Sequence, residues 1–395
     1  MERKTQRLYF IDAIRAWAIL MMLQGHFIDG LLDTSYRDSS HLGYAIWQYF
    51  RGITAPVFFT VSGFIFTYLL VRAPQRGWNN PRVAKGIKRG LQLLIIGYLL
   101  RMNLFGLLTG NVYDSFYLVD VLHCIGLSIL GILGIYVLTV NLGKWVFPGV
   151  LVATTFILFL FEPRYEAFSF SFLPDVLANY FTKANGSVFT IFPWLGYATF
   201  GGFLALLFTR FQHFLGIYPV AILTSLCVGG LLIFFSSDLF FWLGEILEIP
   251  LFLKVYFNNY LFIRLGDVFV VFALFMLFRK WLTHPTVLKL GQSTLSIYVI
   301  HFILLYGSFT GLGLYGFLHH SLMPWMAISG AIAFMVLCAF GALWYEANKM
   351  LIRQNLSSTL GFIKTQTAAG ALVLNRGLRT LLGRLIRLFG LAKNG

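Results

Sequence analysis

Apolar stretches of about 20 residues recur along the chain, and this recurrence leaves few folds open. A run of that length crosses hydrocarbon only as an α-helix, because its backbone N–H and C=O groups must then be satisfied within the segment. Ten such runs are legible, over 9–32, 54–72, 88–108, 118–139, 144–161, 188–209, 215–235, 260–279, 287–309 and 323–347. Residues 42–52 read as a short amphipathic helix leading into Pro56 and the second run. Only 11% of the residues are charged, against roughly 25% in a soluble domain. The expected fold is therefore all-α: a polytopic membrane protein of about ten transmembrane helices. Residues 1–348 form its membrane domain and residues 349–395 a cytoplasmic tail. The first run is not read as a secretory signal, because it is long, carries charges and lacks an A-x-A-like cleavage site.

Charge sets the expected orientation. Residues 72–89 hold Arg72, Arg76, Arg82, Lys85, Lys88 and Arg89 and no acid. Asp33, Asp38, Asp114, Glu162, Glu166, Asp175, Asp238, Glu245 and Glu248 fall in the alternate loops. The positive-inside rule then puts both termini in the cytoplasm, consistent with an even number of spans. The net charge of +15 is a topology signal on this reading, and no nucleic-acid partner is inferred from it. In the tail, Leu374, Leu378, Leu381, Leu382, Leu385, Leu388 and Phe389 share one helical face, and Arg376, Arg379, Arg384 and Arg387 the other. Such a basic amphipathic helix suits the anionic inner leaflet. Cys124, Cys227 and Cys338 form no CxxC and suggest no disulfide framework. No internal repeat is evident in the sequence.

The first run, IDAIRAWAILMMLQGHFID, carries Asp12, Arg15, His26 and Asp29. Ionisable groups inside a membrane are costly, and they persist where they pair or line a wet cavity. Asp12 and Arg15 are three apart and can pair on one helix face. Eleven residues separate Arg15 from His26, which puts them on nearly the same stripe about 16 Å apart. A guanidinium fork suits phosphate, and an imidazole suits proton transfer. One ligand with a phosphate at one end and a reactive group at the other can reach both; the phosphopantetheine arm of an acyl-CoA has that order of length, about 15–18 Å. Asp29 is placed to orient the His26 ring, as the third member of a catalytic triad does. The competing reading is structural, with Arg15–Asp12 a helix fastener and His26 a core residue.

The same stretch resembles the first span of the transmembrane acyltransferase superfamily, in which an Asp is followed by an Arg, then ten intervening residues, then a His. FRGITAPVFFTVSGFIFTYLL resembles the second span, and DVLHCIGLSIL and GQSTLSIYVIHF resemble later segments. The best match is to the heparan-α-glucosaminide N-acetyltransferase-like catalytic domain in its bacterial form, over about residues 8–310. A related branch contains bacterial polysaccharide O-acetylases. The resemblance implies an acyl-CoA-dependent O- or N-acetyltransferase in a bacterial inner membrane. Cytoplasmic acetyl-CoA, as co-substrate, would bind near Arg15. The acetyl group would pass to a hydroxyl or amine of a glycan or glycolipid on the outer side. His26 is the implied base, or the carrier of a covalent acetyl. In the heparan-glucosaminide branch the key histidine lies between the first two spans, where His41 is the positional match here.

Arg51 and Arg101 are further candidates, either lining the cavity or pairing with outer carboxylates. Asp120 and His123 are read as acceptor-site or core residues, Arg264–Asp267 as a structural pair, and His301 as a helix–helix hydrogen bond. No metal-ligand spacing is present. The rival class is a proton-coupled transporter or flippase in which Arg15, His26 and Asp29 form a relay. It would call for broken helices in two matching halves, which the sequence does not display. Membrane lipid is an expected partner, and the oligomeric state is left open, a dimer included.

Overall fold

The computed structural model describes residues 8–388, with side chains described through residue 355 and at residues 357 and 358. Eleven helices carry the architecture. They are α1 Tyr9–Leu31, α2 Leu42–Val71, α3 Pro81–Arg101, α4 Val121–Thr139, α5 Val146–Leu160 and α6 Ile191–Phe211, followed by α7 Ile217–Leu247, α8 Tyr260–Leu277, α9 Pro285–Gln292, α10 Thr294–Tyr306 and α11 Pro324–Leu388. Among the described residues no strand forms; two isolated backbone bridges join Leu32 to Leu322 and Asn103 to Phe309. Seven helices are long and apolar enough to cross a membrane. Counting α9 and α10, which meet at a 69° bend, as one broken span makes eight. All ten apolar runs are helical, but α5 has only 15 residues, and α3 carries Arg82, Lys85, Lys88 and Arg89 in its first half. The all-α membrane class therefore holds, with seven candidate spans in place of the ten counted from sequence.

Two boundaries differ from the sequence reading. Residues 42–52 are not a separate helix, because α2 runs unbroken through Pro56. Proline has no N–H for the carbonyl four residues earlier, and here the Tyr260 hydroxyl donates to the Gly52 carbonyl oxygen at 3.2 Å. The freed acceptor is thus satisfied from a neighbouring helix and the chain need not break. Helix α7 likewise continues to Leu247 instead of stopping near 235; Glu248, in the left-handed region at φ 54°, ends it. A short helix, Pro250–Phe257, follows.

Among the described residues, 8–342 form one compact unit and 343–388 another. In the second, α11 extends to Leu388, and the side chains of the expected amphipathic face lie outside the described residues. In the first unit, α2 packs on α6, α7 on α8, α3 on α4, and α1 on both α2 and α9. Small residues let these backbones touch, as membrane helices require where lipid gives no hydrophobic drive. A Cβ on Gly63 would collide with the Ala198 carbonyl, and one on Gly201 with the Thr60 carbonyl. Gly229 and Gly266 face each other in the same way across α7 and α8, where an added Cβ would come within 2.9 and 2.8 Å of the opposing carbonyl oxygens. Gly63→Val therefore separates α2 from α6 and costs at least the ~1–3 kcal/mol of ordinary overpacking. Gly134 meets nothing within 4 Å, so Gly134→Ala gains about 0.5–1 kcal/mol of helix stability. Melting of the two purified variants in detergent checks both signs.

Candidate active site

Helices α1, α2, α3, α4 and α10 converge on a cavity of about 710 Å³ lined by His26, Asp29, Arg51, Arg101, Asp120 and Tyr306. That volume lies within the usual range for small-molecule sites. A narrower branch of about 230 Å³ shares His26, Arg51, Val188 and Phe189 with it and continues between Met22, Phe58, Phe59 and Trp194. His26 lines both spaces.

The floor holds His26, with a second histidine buried behind it. His26 Nδ1 lies 3.1 Å from His301 Nε2, and His301 is fully buried. Its other nitrogen, Nδ1, is also buried, without a well-aligned partner, beside the Ile297 and Tyr298 carbonyls. If His301 carries its proton on Nδ1, its Nε2 accepts from His26 Nδ1–H. His26 Nε2 then keeps a lone pair for the cavity, which is the tautomer that a general base needs. Tyr298 and Tyr306 pack edge-on against His301, with ring centroids at 4.8 and 6.4 Å.

The acids are committed elsewhere. Asp29 pairs with Arg51, and Arg37 donates to the Asp29 carbonyl oxygen. The sequence expectation that Asp29 orients His26 is therefore replaced: His301 holds that nitrogen, and Asp29 anchors the Arg51 head at the cavity wall. Arg51 also lies 6.0 Å from the Trp47 ring centroid. Trp47 in turn donates to Gln24 Oε1 at 2.7 Å, tying α2 to α1. Asp120 is the N-cap of α4 and forms a capping box with His123. It accepts from the Tyr298 hydroxyl at 2.7 Å and pairs with Arg101 at 3.3 Å. One carboxylate thus joins α3, α4 and α10 at the cavity edge. His123 is buried in that cap and lines neither space.

The rim is backbone. Leu104 N–H donates to the Phe309 carbonyl, and Phe309 N–H to that of Met102, both at 2.9 Å. Gly307 ends α10 at φ 71° with the Leu312–Gly313 backbone pressed against it. Only glycine fits both that angle and that contact.

Of the candidates read from sequence, His26, Asp29, Arg51, Arg101 and Asp120 line the large cavity. Arg15 and His41 do not. Arg15 lies 3.8 Å from Asp12 and donates to Thr294 Oγ1 at 3.0 Å; its side chain stays 23% exposed. His41 is exposed and opens α2 without a side-chain cap. Arg264 and Asp267 pair at 2.9 Å, as the i,i+3 spacing suggested, and Tyr49 donates to the same carboxylate at 2.8 Å. His301 makes the helix–helix hydrogen bond expected of it, but that His26 is its partner was not readable, because no spacing rule links positions 275 apart. Among the described residues no group of three or more His, Cys, Asp or Glu is placed to hold a metal.

The model of a family described as heparan-alpha-glucosaminide N-acetyltransferase, catalytic, matches residues 7–239. That region contains His26, Arg51, Arg101 and Asp120, but not His301. No curated protein and no solved structure matches the chain significantly.

Proposed function

Because the chain belongs to the heparan-alpha-glucosaminide N-acetyltransferase catalytic family over more than half its length, we propose that it transfers acetyl from acetyl-CoA to a sugar hydroxyl or amine, with His26 as the base. The observation that carries the residue assignment is the His26–His301 pair, of which His26 lines both cavities. The narrow apolar branch suits the thin acetyl-pantetheine end of the donor. The wide space, with two arginines and a capped carboxylate at its wall, suits a polyhydroxylated acceptor. His26 Nε2 takes the acceptor proton as the new C–O or C–N bond forms. The thioester C–S bond breaks, and the departing thiolate recovers that proton from the imidazolium. Arg51, which lines both spaces, supplies N–H donors to the developing oxyanion. His41, exposed and outside the cavity, is the weaker candidate for the base.

Arg15 is proposed to meet donor phosphates. It sits about 16 Å along α1 from His26, and its side chain is 23% exposed. The Lys/Arg bias favours a cytoplasmic side for that end of the bundle and an outer side for the large cavity, and the membrane is proposed to be a bacterial inner membrane. The acceptor is then a glycan or glycolipid of the envelope. Acetyl-CoA should raise the melting temperature of the purified protein, and Arg15→Ala should blunt that shift. No shift in the wild type would remove the donor assignment.

His301 is proposed as a positioning residue. His301→Ala lowers kcat more than KM, by between about 10-fold and the ~10⁴-fold that a wrong tautomer costs a catalytic triad. His301→Gln keeps a side-chain oxygen to accept from His26 Nδ1–H and recovers much of the rate. If glutamine and alanine lose equal activity with unchanged pH profiles, His301 is only packing.

A further inference from the structure

A separate cavity of about 330 Å³ lies at the far end of α2, lined by Arg76, Lys144 and Arg210. Val71, at its edge, is 20 residues beyond Arg51, so about 30 Å of helix rise, a bilayer core, separates it from the histidine pair. The three cations come from three segments of chain: the turn after α2, the α4–α5 turn and the last turn of α6. No carboxylate is among the residues that line the space. The Arg210 guanidinium lies 4.3 Å from the centroid of the Trp145 ring, which holds it at the pocket wall. Leu206 and Leu207 give that wall an apolar side.

Three like charges around one small space repel one another, and a bound anion relieves that repulsion. Arginine forks and an ammonium are the donors that recognise phosphate oxygens. We propose that this pocket binds a phosphate-bearing anionic group, and that its occupant is the headgroup of an acidic phospholipid. A soluble nucleotide phosphate shares the chemistry. The apolar wall and the exposed tryptophan at the helix ends favour the lipid, because basic pockets between helix ends at a membrane interface take anionic headgroups. A headgroup seated there would tie α2, α5 and α6 together at the end opposite the candidate active site. The inference stands whether or not the acetyl-transfer reading holds.

The test uses the full chain in neutral detergent, comparing phosphatidylglycerol, phosphatidylcholine and adenosine 3′,5′-bisphosphate as additives. Phosphatidylglycerol raises the melting temperature of the wild type and phosphatidylcholine does not. The rise is lost in Lys144→Gln/Arg210→Gln and retained in Lys85→Gln/Lys88→Gln, whose charges lie outside the pocket. Native mass spectrometry of Lys144→Gln alone, showing loss of one retained phosphatidylglycerol, covers the case in which the double variant fails to fold. A shift produced by the bisphosphate alone, and lost in the same variant, keeps the phosphate site and reassigns its source to a soluble nucleotide. A shift from neither additive, or one that survives the pocket variants, overturns the proposal.

Discussion

Alanine at position 26 lowers acetyl transfer by about 10²–10⁴-fold, the usual contribution of one positioned acid–base group. The protein stays folded and still responds to acetyl-CoA, because His26 is partly exposed at a cavity floor and its removal breaks one hydrogen bond. The acceptor hydroxyl or amine is a poor nucleophile until its proton has somewhere to go. Among the histidines considered, only His26 lines the cavity while a second ring holds its other nitrogen. The companion variant His41→Ala keeps a near wild-type rate, since that side chain is exposed and lines neither space. Kinetics of both variants with purified protein and acetyl-CoA decide the matter. Full activity in His26→Ala with loss in His41→Ala moves the base to His41.

The largest effect on stability is expected at Asp120. Its carboxylate caps α4, accepts from Tyr298 and pairs with Arg101 while being only 7% exposed. Asp120→Ala leaves a largely buried guanidinium without its counter-charge, a change that costs about 3–5 kcal/mol, and removes a helix cap worth about 1 kcal/mol. Asp120→Asn keeps an oxygen for the cap and for Tyr298 but drops the charge, so it falls between alanine and the wild type. Melting temperatures of the three proteins in one detergent give the order. Alanine and wild type melting together would mean that Arg101 and Asp120 are both solvated, and that the cavity edge is held by something else.

Much of the fold follows from two sequence signals. The apolar runs fixed where helices form, because hydrocarbon admits little else. The i,i+3 pairs Asp12–Arg15 and Arg264–Asp267 are local and readable from spacing alone. Continuity through Pro56 was not readable, since it depends on the hydroxyl of Tyr260, more than two hundred residues away. The partners of His26 and Asp29 were hidden for the same reason. Spacing along α1 shows that Asp29 can reach His26, but it cannot show that Arg51 and His301 compete for the two side chains and win. The family match spans α1 through most of α7, whereas α10, which supplies His301, Tyr298 and Tyr306, lies beyond it and joins the site only in three dimensions. The transporter reading called for two matching broken helices; among the described residues there is one bent pair, α9–α10.

Mass spectrometry of envelope glycans and lipids, with the protein deleted and then restored, tests acetyl transfer through His26 most directly. One species should lose a single acetyl mass on deletion, regain it with the wild type, and fail to regain it with His26→Ala produced at the same level. An acetylation pattern that is unchanged by deletion, or fully restored by His26→Ala, contradicts the account.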